Sequence, residues 1–167
     1  MSHLLVDQLA FARTELVRSL AGVTPEEAIQ RFLPMNSLGW IVGHLANQEQ
    51  QVFLVRQGLP PVSPELDALV GFGKPASTPP LAEMWAAWEM VTAATAAVLA
   101  PMSDTDLLAV PPGGRQPGES IGTLLLRTTA HYWFHIGEGQ AIRQLLGHTD
   151  LPSFVGAVGR EAPFRVE

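Results

Sequence analysis

The sequence contains no cysteine, which excludes disulfide bonds, thiolate metal ligands and a cysteine nucleophile. Lysine is nearly absent too: Lys74 is the single lysine, and ten basic residues stand against sixteen acidic ones, for a formal net charge of -6. Without a basic stripe to neutralise phosphates, the chain is not expected to bind nucleic acid. No uncharged apolar stretch approaches the length of about eighteen residues that spans a membrane, so we expect no membrane partner.

The amino-terminal segment lacks the features of a signal peptide. Residues 1–20 carry charged side chains at helical spacing, and they have no basic flank, unbroken apolar stretch or small-residue cleavage site. We therefore expect a soluble cytoplasmic protein. A length of 167 residues with 47% hydrophobic residues is typical of one globular domain, which we expect to cover residues 1–167.

Four segments have apolar residues at every third or fourth position, which predicts four long helices. These segments cover about residues 5–20, 37–57, 81–98 and 120–146. The stretch Thr24-Pro25-Glu26-Glu27 is a capping box with proline at the first helical position, and it predicts one further short helix. Together these elements predict an all-α fold, a four-helix bundle.

The connections between the predicted helices are rich in proline and glycine. Six prolines fall within residues 58–80, and residues 111–118 read PPGGRQPG, which is incompatible with a helix. Connections of about twenty residues are uncommon in a compact domain and are often functional. We therefore expect a topology other than simple up-down-up-down, and we expect residues 58–80 to lie near the mouth of a functional site.

Two of the five histidines, His131 and His135, fall four residues apart on the predicted fourth helix. A spacing of four turns the side chain by only about 40° around the axis, so both imidazoles can reach one ion. The same spacing also occurs in helices that bind nothing, so the pair alone leaves a metal site open. Glu138 is almost in line with His131. It is a candidate fourth ligand, general base or hydrogen-bond partner of an imidazole, and an ordinary exposed acid is the alternative.

A third histidine, His44, lies in the middle of the predicted second helix, in the stretch GWIVGHLANQEQ. Its face also carries Asn47, Gln48 and Gln51, which interrupt the apolar stripe. Such a face is either the solvent side of the helix or a buried surface whose polar groups need partners. The apolar sequence around His44 favours the buried alternative.

Two segments, SLGWIVGHLANQEQQVF and HYWFHIGEGQAIRQLLGH, resemble the two signature helices of the DinB/YfiT-like superfamily of metalloenzymes. The resemblance implies a four-helix bundle that holds a divalent ion, commonly zinc or nickel, through three histidines. The corresponding residues here are His44, His131 and His135. The resemblance also implies a homodimer and, as in several relatives, a reaction that depends on a low-molecular-weight thiol.

Three neutral histidines leave a position on a divalent ion open, as catalytic sites do. A thiol that occupies this position loses its proton readily, and because the chain has no cysteine the thiol would be a bound small molecule. The leading hypothesis is a metal-dependent transferase that acts on a small molecule with such a thiol. One alternative is a metal-activated hydrolase with Glu138 as base. The other is a non-catalytic bundle that binds a structural metal or senses a ligand.

Two further residues are candidates for binding a cofactor or substrate. Arg127, one turn before the histidine pair, is suited to a substrate carboxylate, with a surface salt bridge as the alternative. Trp40, one turn before the third histidine, is a candidate wall of the pocket, with core packing as the alternative. His3, at the amino terminus, and His148, just after the last predicted helix, are not expected to be ligands.

Overall fold

The computed structural model describes residues 3–113 and 118–165, and within these ranges the chain is helical with no strand. The all-α prediction is therefore confirmed. The α-helices are α1 (Leu4–Ser19), α2 (Pro25–Ala28), α3 (Leu38–Phe53), α4 (Leu66–Val70), α5 (Leu81–Leu99), α6 (Asp104–Leu108), α7 (Ile121–Leu145) and α8 (Val158–Glu161). None of these helices is long and apolar enough to cross a membrane.

The four long helices, α1, α3, α5 and α7, occupy the four segments with helical periodicity. Helix α3 begins after Ser37, whose hydroxyl accepts a hydrogen bond from the backbone N–H of Trp40 at 3.2 Å. The prediction carried this helix to residue 57, but α3 ends at Phe53. A 3-10 turn, Val55–Gln57, follows, and Gly58 in the left-handed conformation (φ 82°) closes it.

Helix α3 lies at the centre of the protein, since fourteen of its sixteen residues are buried. It packs against α4, α5 and α7, while α1 packs against α7. Two glycines permit this close packing. A Cβ on Gly39 would collide with the carbonyl oxygen of Pro79, and a Cβ on Gly43 would collide with the sulfur of Met84 and press on Val70. The sequence therefore brings α4 and α5 directly onto the helix that carries His44.

The connection of residues 58–80 is folded against α3 and includes a short helix that was not predicted. It contains α4, and its first part is held by the buried side chain of Gln50. The Gln50 amide donates to the carbonyl of Ser63 at 2.8 Å and accepts from the Ser63 N–H at 3.2 Å. In the second proline-rich segment, residues 111–113 form no helix, as the sequence predicted. Residues 114–117 lie outside the described ranges.

A buried polar network joins the four long helices. At its centre is the carboxylate of Glu49 on α3, which is fully buried. It pairs with the guanidinium of Arg13 on α1, accepts from the hydroxyl of Thr95 on α5, and accepts from the hydroxyl of Tyr132 on α7 at 2.7 Å. The indole N–H of Trp88 donates to the same Tyr132 hydroxyl at 2.8 Å. Because every long helix contributes a member, the network fixes the helices relative to one another.

The segment after α7 packs on α1 of its own chain. The Arg18 guanidinium donates to the carbonyl of Ser153 at 2.7 Å, and the Gln8 amide donates to the carbonyl of Ala162 at 2.8 Å. The segment contains the apolar stretch of residues 151–159. These hydrogen bonds place it on its own bundle.

Candidate metal centre

The structure brings together His44 from α3 with His131 and His135 from α7. The ring of His44 lies 5.2 and 5.3 Å from the other two, whose centroids are 4.6 Å apart. One candidate ligand atom from each histidine lies within 4.8 Å of the others. Two nitrogens that bind one tetrahedral Zn²⁺ at about 2.1 Å are about 3.4 Å apart. The three side chains therefore fit a single divalent ion after a small adjustment.

Two of the three imidazoles are oriented by hydrogen bonds at Nδ1. Nδ1 of His44 lies 2.9 Å from the carbonyl oxygen of Val70, and Nδ1 of His135 lies 2.8 Å from a carboxylate oxygen of Glu138. A carbonyl and a carboxylate only accept, so each Nδ1 carries the proton and donates it. Nε2 then carries a lone pair in both rings, and that of His135 faces Nε2 of His131 at 3.0 Å. This is the arrangement that metal-binding histidines use to fix tautomer and ring orientation.

The third imidazole, that of His131, is held in a different way. Its Nε2 lies 3.0 Å from Nε2 of His135, and its Nδ1 is buried without a hydrogen-bond partner among the described residues. Burial, together with the charges of the other two histidines, lowers the pKa of His131 to about 3. Burial is also the main cause that lowers the pKa of His44. Both rings are therefore neutral at pH 7, which is the form that binds metal ions.

Two aromatic rings contact the cluster. The indole of Trp40 is buried and stacks on the ring of His44 at 4.4 Å with an interplanar angle of 11°. The ring of Phe134 lies 5.0 Å from that of His135, and 68% of Phe134 is exposed. Trp40 also belongs to the hydrophobic core, which is the alternative role considered for it. Phe134 was missed by sequence reasoning, because an exposed phenylalanine beside a histidine pair has no distinctive spacing.

The remaining candidate residues and the other two histidines lie outside the histidine cluster. Arg127 is exposed, and its guanidinium pairs with the carboxylate of Glu119, as in the surface salt bridge considered as its alternative role. Nδ1 of His3 caps α1 by accepting from the N–H of Leu5 at 3.1 Å. His148 lies 2.9 Å from Glu27. None of these three side chains belongs to the cluster of His44, His131 and His135.

Glu138 contacts the cluster through His135. Its carboxylate accepts a hydrogen bond from the imidazole N–H at 2.8 Å. Carboxylates commonly orient metal-binding histidines through such a bond. The carbonyl of Val70 has the same role for His44, and sequence reasoning missed it because a backbone acceptor carries no residue-type signal. The available indication was Gly43, which lets Val70 approach α3 one residue before His44.

Comparison with known proteins agrees with this arrangement. The model of one protein family, described as the DinB superfamily, matches residues 8–138. The match extends from α1 into α7 and contains all three clustered histidines and Glu138. No curated protein matches the chain.

Proposed function

This chain belongs to the DinB superfamily, and from that premise we propose that it is a divalent-metal-dependent enzyme that uses a low-molecular-weight thiol as its nucleophile. Superfamily membership and the three-histidine cluster fit a metal-binding protein. We assign His44, His131 and His135 as the ligands. The observation that carries the proposal is their convergence from helices α3 and α7, with Nδ1 of His44 and His135 already engaged.

Zinc or nickel is the proposed ion, since both accept neutral imidazole nitrogens and both are common in relatives of this kind. Three protein ligands leave a position for an external ligand. A divalent ion held by these histidines would lower the pKa of a coordinated thiol, which is about 8.5 in water, and would so supply a thiolate at neutral pH. The chain has no cysteine, so we assign the thiol to a small molecule.

Glu138 supports the thiol hypothesis over hydrolysis. A hydrolase needs a base to take a proton from the attacking water, and Glu138 was the candidate. Its carboxylate instead accepts the N–H of His135 and helps to hold that ring. A thiol needs no separate base once its pKa has fallen below neutral pH. Trp40 supplies an apolar wall beside the histidines, which suits a small organic electrophile.

We also propose a cytoplasmic homodimer. Helix α7 exposes a continuous stripe of small and apolar residues along its outer face: Leu126, Ala130, Phe134, Gly137, Ala141 and Leu145. The larger members are strongly exposed, with Leu126 at 57% and Leu145 at 56%. Helix faces with this spacing pack well against a second helix. A second copy that covers the stripe would bury it.

The test is a turnover assay with several small thiols and a chromogenic electrophile. We expect thiol consumption by the metal-loaded protein, loss of the rate after chelation, and recovery when Zn²⁺ or Ni²⁺ is returned. His131→Ala should be inactive. His3→Asn removes a histidine outside the cluster while keeping a helix-capping side chain, and it should retain the wild-type rate. A rate that survives chelation, or turnover of an ester without thiol, would contradict the proposal.

A further inference from the structure

Three buried polar atoms have no hydrogen-bond partner among the described residues and belong to the cluster or to residues one helical turn from it along the chain: Oε1 of Gln48, Oγ1 of Thr128 and Nδ1 of His131. Thr128 is fully buried, with 0% of its surface exposed. Buried polar groups in folded proteins are almost always paired, and each exception needs an explanation. Their identity and position point to a ligand that the protein binds at this place.

The packing of α3 against α7 puts Gln48 and Thr128 at the same level. The two helices are antiparallel: Leu38 lies beside Gly139, and the next contact along α3, His44, meets the histidine pair of α7. Gln48 is one turn beyond His44 on the same face. Thr128 is one turn before the pair and, seven residues from His135, on the same face as that ligand. Both side chains therefore lie at the α7 amino-terminal side of the cluster.

Nδ1 of His131 lies on this same side of the cluster. Helical side chains lean toward the amino terminus of their helix, so the near side of this imidazole lies over the turn that contains Thr128. Its Nε2 is turned toward Nε2 of His135 at 3.0 Å, as a ligand atom would be. When Nε2 binds a metal, Nδ1 carries the proton and becomes a donor. The cluster thus offers one donor from His131, one acceptor from Gln48, and a hydroxyl that does both.

The charges around these atoms restrict the ligand. The ionisable groups that act on His131 are the other two histidines, and Gln48 and Thr128 are neutral. A carboxylate or phosphate would place its negative charge against the acceptor oxygen of Gln48, and no Lys or Arg side chain acts on His131 to pair with it. A hydroxyl group offers both an acceptor for the His131 N–H and a donor for the Gln48 oxygen.

We propose that Gln48, Thr128 and Nδ1 of His131 form a polar subsite that takes a neutral hydroxyl group of a ligand held on the metal. The proposal rests on the proposed function, because the metal is what holds the ligand next to the subsite. It predicts that the protein binds hydroxylated small thiols more tightly than apolar thiols of the same size.

Two thiols of equal size test this preference, 2-mercaptoethanol and 1-propanethiol. Each is titrated into Co²⁺-loaded protein, and binding is followed by the sulfur-to-cobalt charge-transfer absorption. For each protein the measured quantity is the ratio of the two Kd values. This ratio is compared between wild type and the variants, because the intrinsic difference between the two thiols is the same in each. In Thr128→Val the ratio should shift about fivefold to tenfold against 2-mercaptoethanol, the range expected for one lost hydrogen bond.

Thr129→Val is the matched control, since it makes the same change one residue along and about 100° around the helix. It should leave the ratio unchanged. Thr128→Val should also be at least as stable as wild type in urea, because it removes an unpaired buried hydroxyl; if it does not fold, Gln48→Met is used in its place. An unchanged ratio, or an equal loss of both thiols, would mean that water alone satisfies these atoms and would overturn the subsite.

The failure of the subsite is distinguishable from failure of the proposed function. Wild-type protein that takes up no Co²⁺ contradicts both. Uptake of Co²⁺ with no binding of either thiol also overturns the subsite, since it is proposed for a ligand on the metal. Uptake of Co²⁺ and binding of both thiols, with the same ratio in wild type and Thr128→Val, contradicts the subsite alone.

Discussion

Removal of the Tyr132 hydroxyl should destabilise the protein strongly, although it leaves the volume of the ring in place. The hydroxyl is fully buried, donates to Glu49 at 2.7 Å and accepts from Trp88 at 2.8 Å. Burial raises the pKa of Tyr132 well above its ordinary value, so the hydroxyl stays protonated and keeps donating to Glu49. Tyr132→Phe removes both hydrogen bonds at once.

The expected magnitude follows from what the two partners lose. The indole N–H of Trp88 is left unpaired in the core, at a cost of about 1–3 kcal/mol, and the Glu49 carboxylate loses a charge-assisted bond of about 1.5–3 kcal/mol. We therefore expect Tyr132→Phe to lower the free energy of unfolding by about 3–5 kcal/mol. That is a large share of the roughly 5–15 kcal/mol typical of a domain. The melting temperature should fall by roughly 6–20 °C.

Urea unfolding of the metal-free protein measures this loss. The midpoint should fall while the m-value stays constant, since the surface exposed on unfolding is unchanged. Thr14→Val is the control: it also removes a helical hydroxyl, but Thr14 is exposed and donates only to the carbonyl of Ala10. Its effect should stay within about 0.5 kcal/mol. A loss below about 1 kcal/mol for Tyr132→Phe would show that the network does not hold the four helices together.

Three further predictions concern the site and the assembly. Glu138→Gln should keep the fold and lower metal affinity by roughly 10–100-fold, measured by competition with a chromophoric chelator; abolished turnover with metal fully bound would instead identify Glu138 as a base. Burial and the neighbouring histidines lower the pKa of His131 to about 3. Below about pH 6.5, His131 therefore binds a proton in the unfolded chain while it stays neutral in the folded chain. Metal-free protein should therefore lose stability as pH falls from about 6.5 towards 3, and urea midpoints at pH 7.5 and 5 should differ less in His131→Gln than in wild type; an equal difference would contradict this. Finally, Leu126→Glu should convert the dimer to a monomer in light scattering at micromolar concentration while Val17→Glu, at an exposed position on α1, does not; a monomeric wild type would refute the dimer.

The long helices were predictable because their signals are local. An apolar period of three to four residues needs only the segment itself, and Ser37 and Ser120 mark the starts of α3 and α7. Helices α4 and α6 were missed because five residues are too few to show a period. The capping box of α6, in which Ser103 and Asp106 pair with each other's backbone N–H, was a usable signal that was overlooked.

The site was predictable where it depends on one helix and less so where it depends on packing. The spacing of His131 and His135 fixes their common direction, but the approach of His44 depends on the register of α3 against α7, which the family resemblance supplied. Arg127 has a suitable helical position, yet it is held at the surface by Glu119, which precedes α7. A helical face alone does not show which partner a long charged side chain reaches.

The polar network around Glu49 was beyond sequence reasoning for the same reason. Glu49 stands 36 residues from Arg13 and 83 from Tyr132 along the chain. An acidic residue in a helix normally faces solvent, and its burial here follows from the central position of α3. Burial lowers the pKa of Arg13 and the charge of Glu49 raises it, with a net rise, so the Arg13 guanidinium stays charged in the core. Only the packing of four helices brings such groups together.

The metal content of the protein tests the central claim most directly. Wild-type protein, His44→Ala and the control His3→Asn are titrated with Zn²⁺ or Co²⁺, and bound metal per chain is determined by elemental analysis after dialysis. We expect one ion per chain in wild type and His3→Asn, and a large loss of affinity in His44→Ala, because two histidines hold a divalent ion much less well than three. Wild-type protein that retains no ion, or His44→Ala that retains a full equivalent, would contradict the three-histidine metal site.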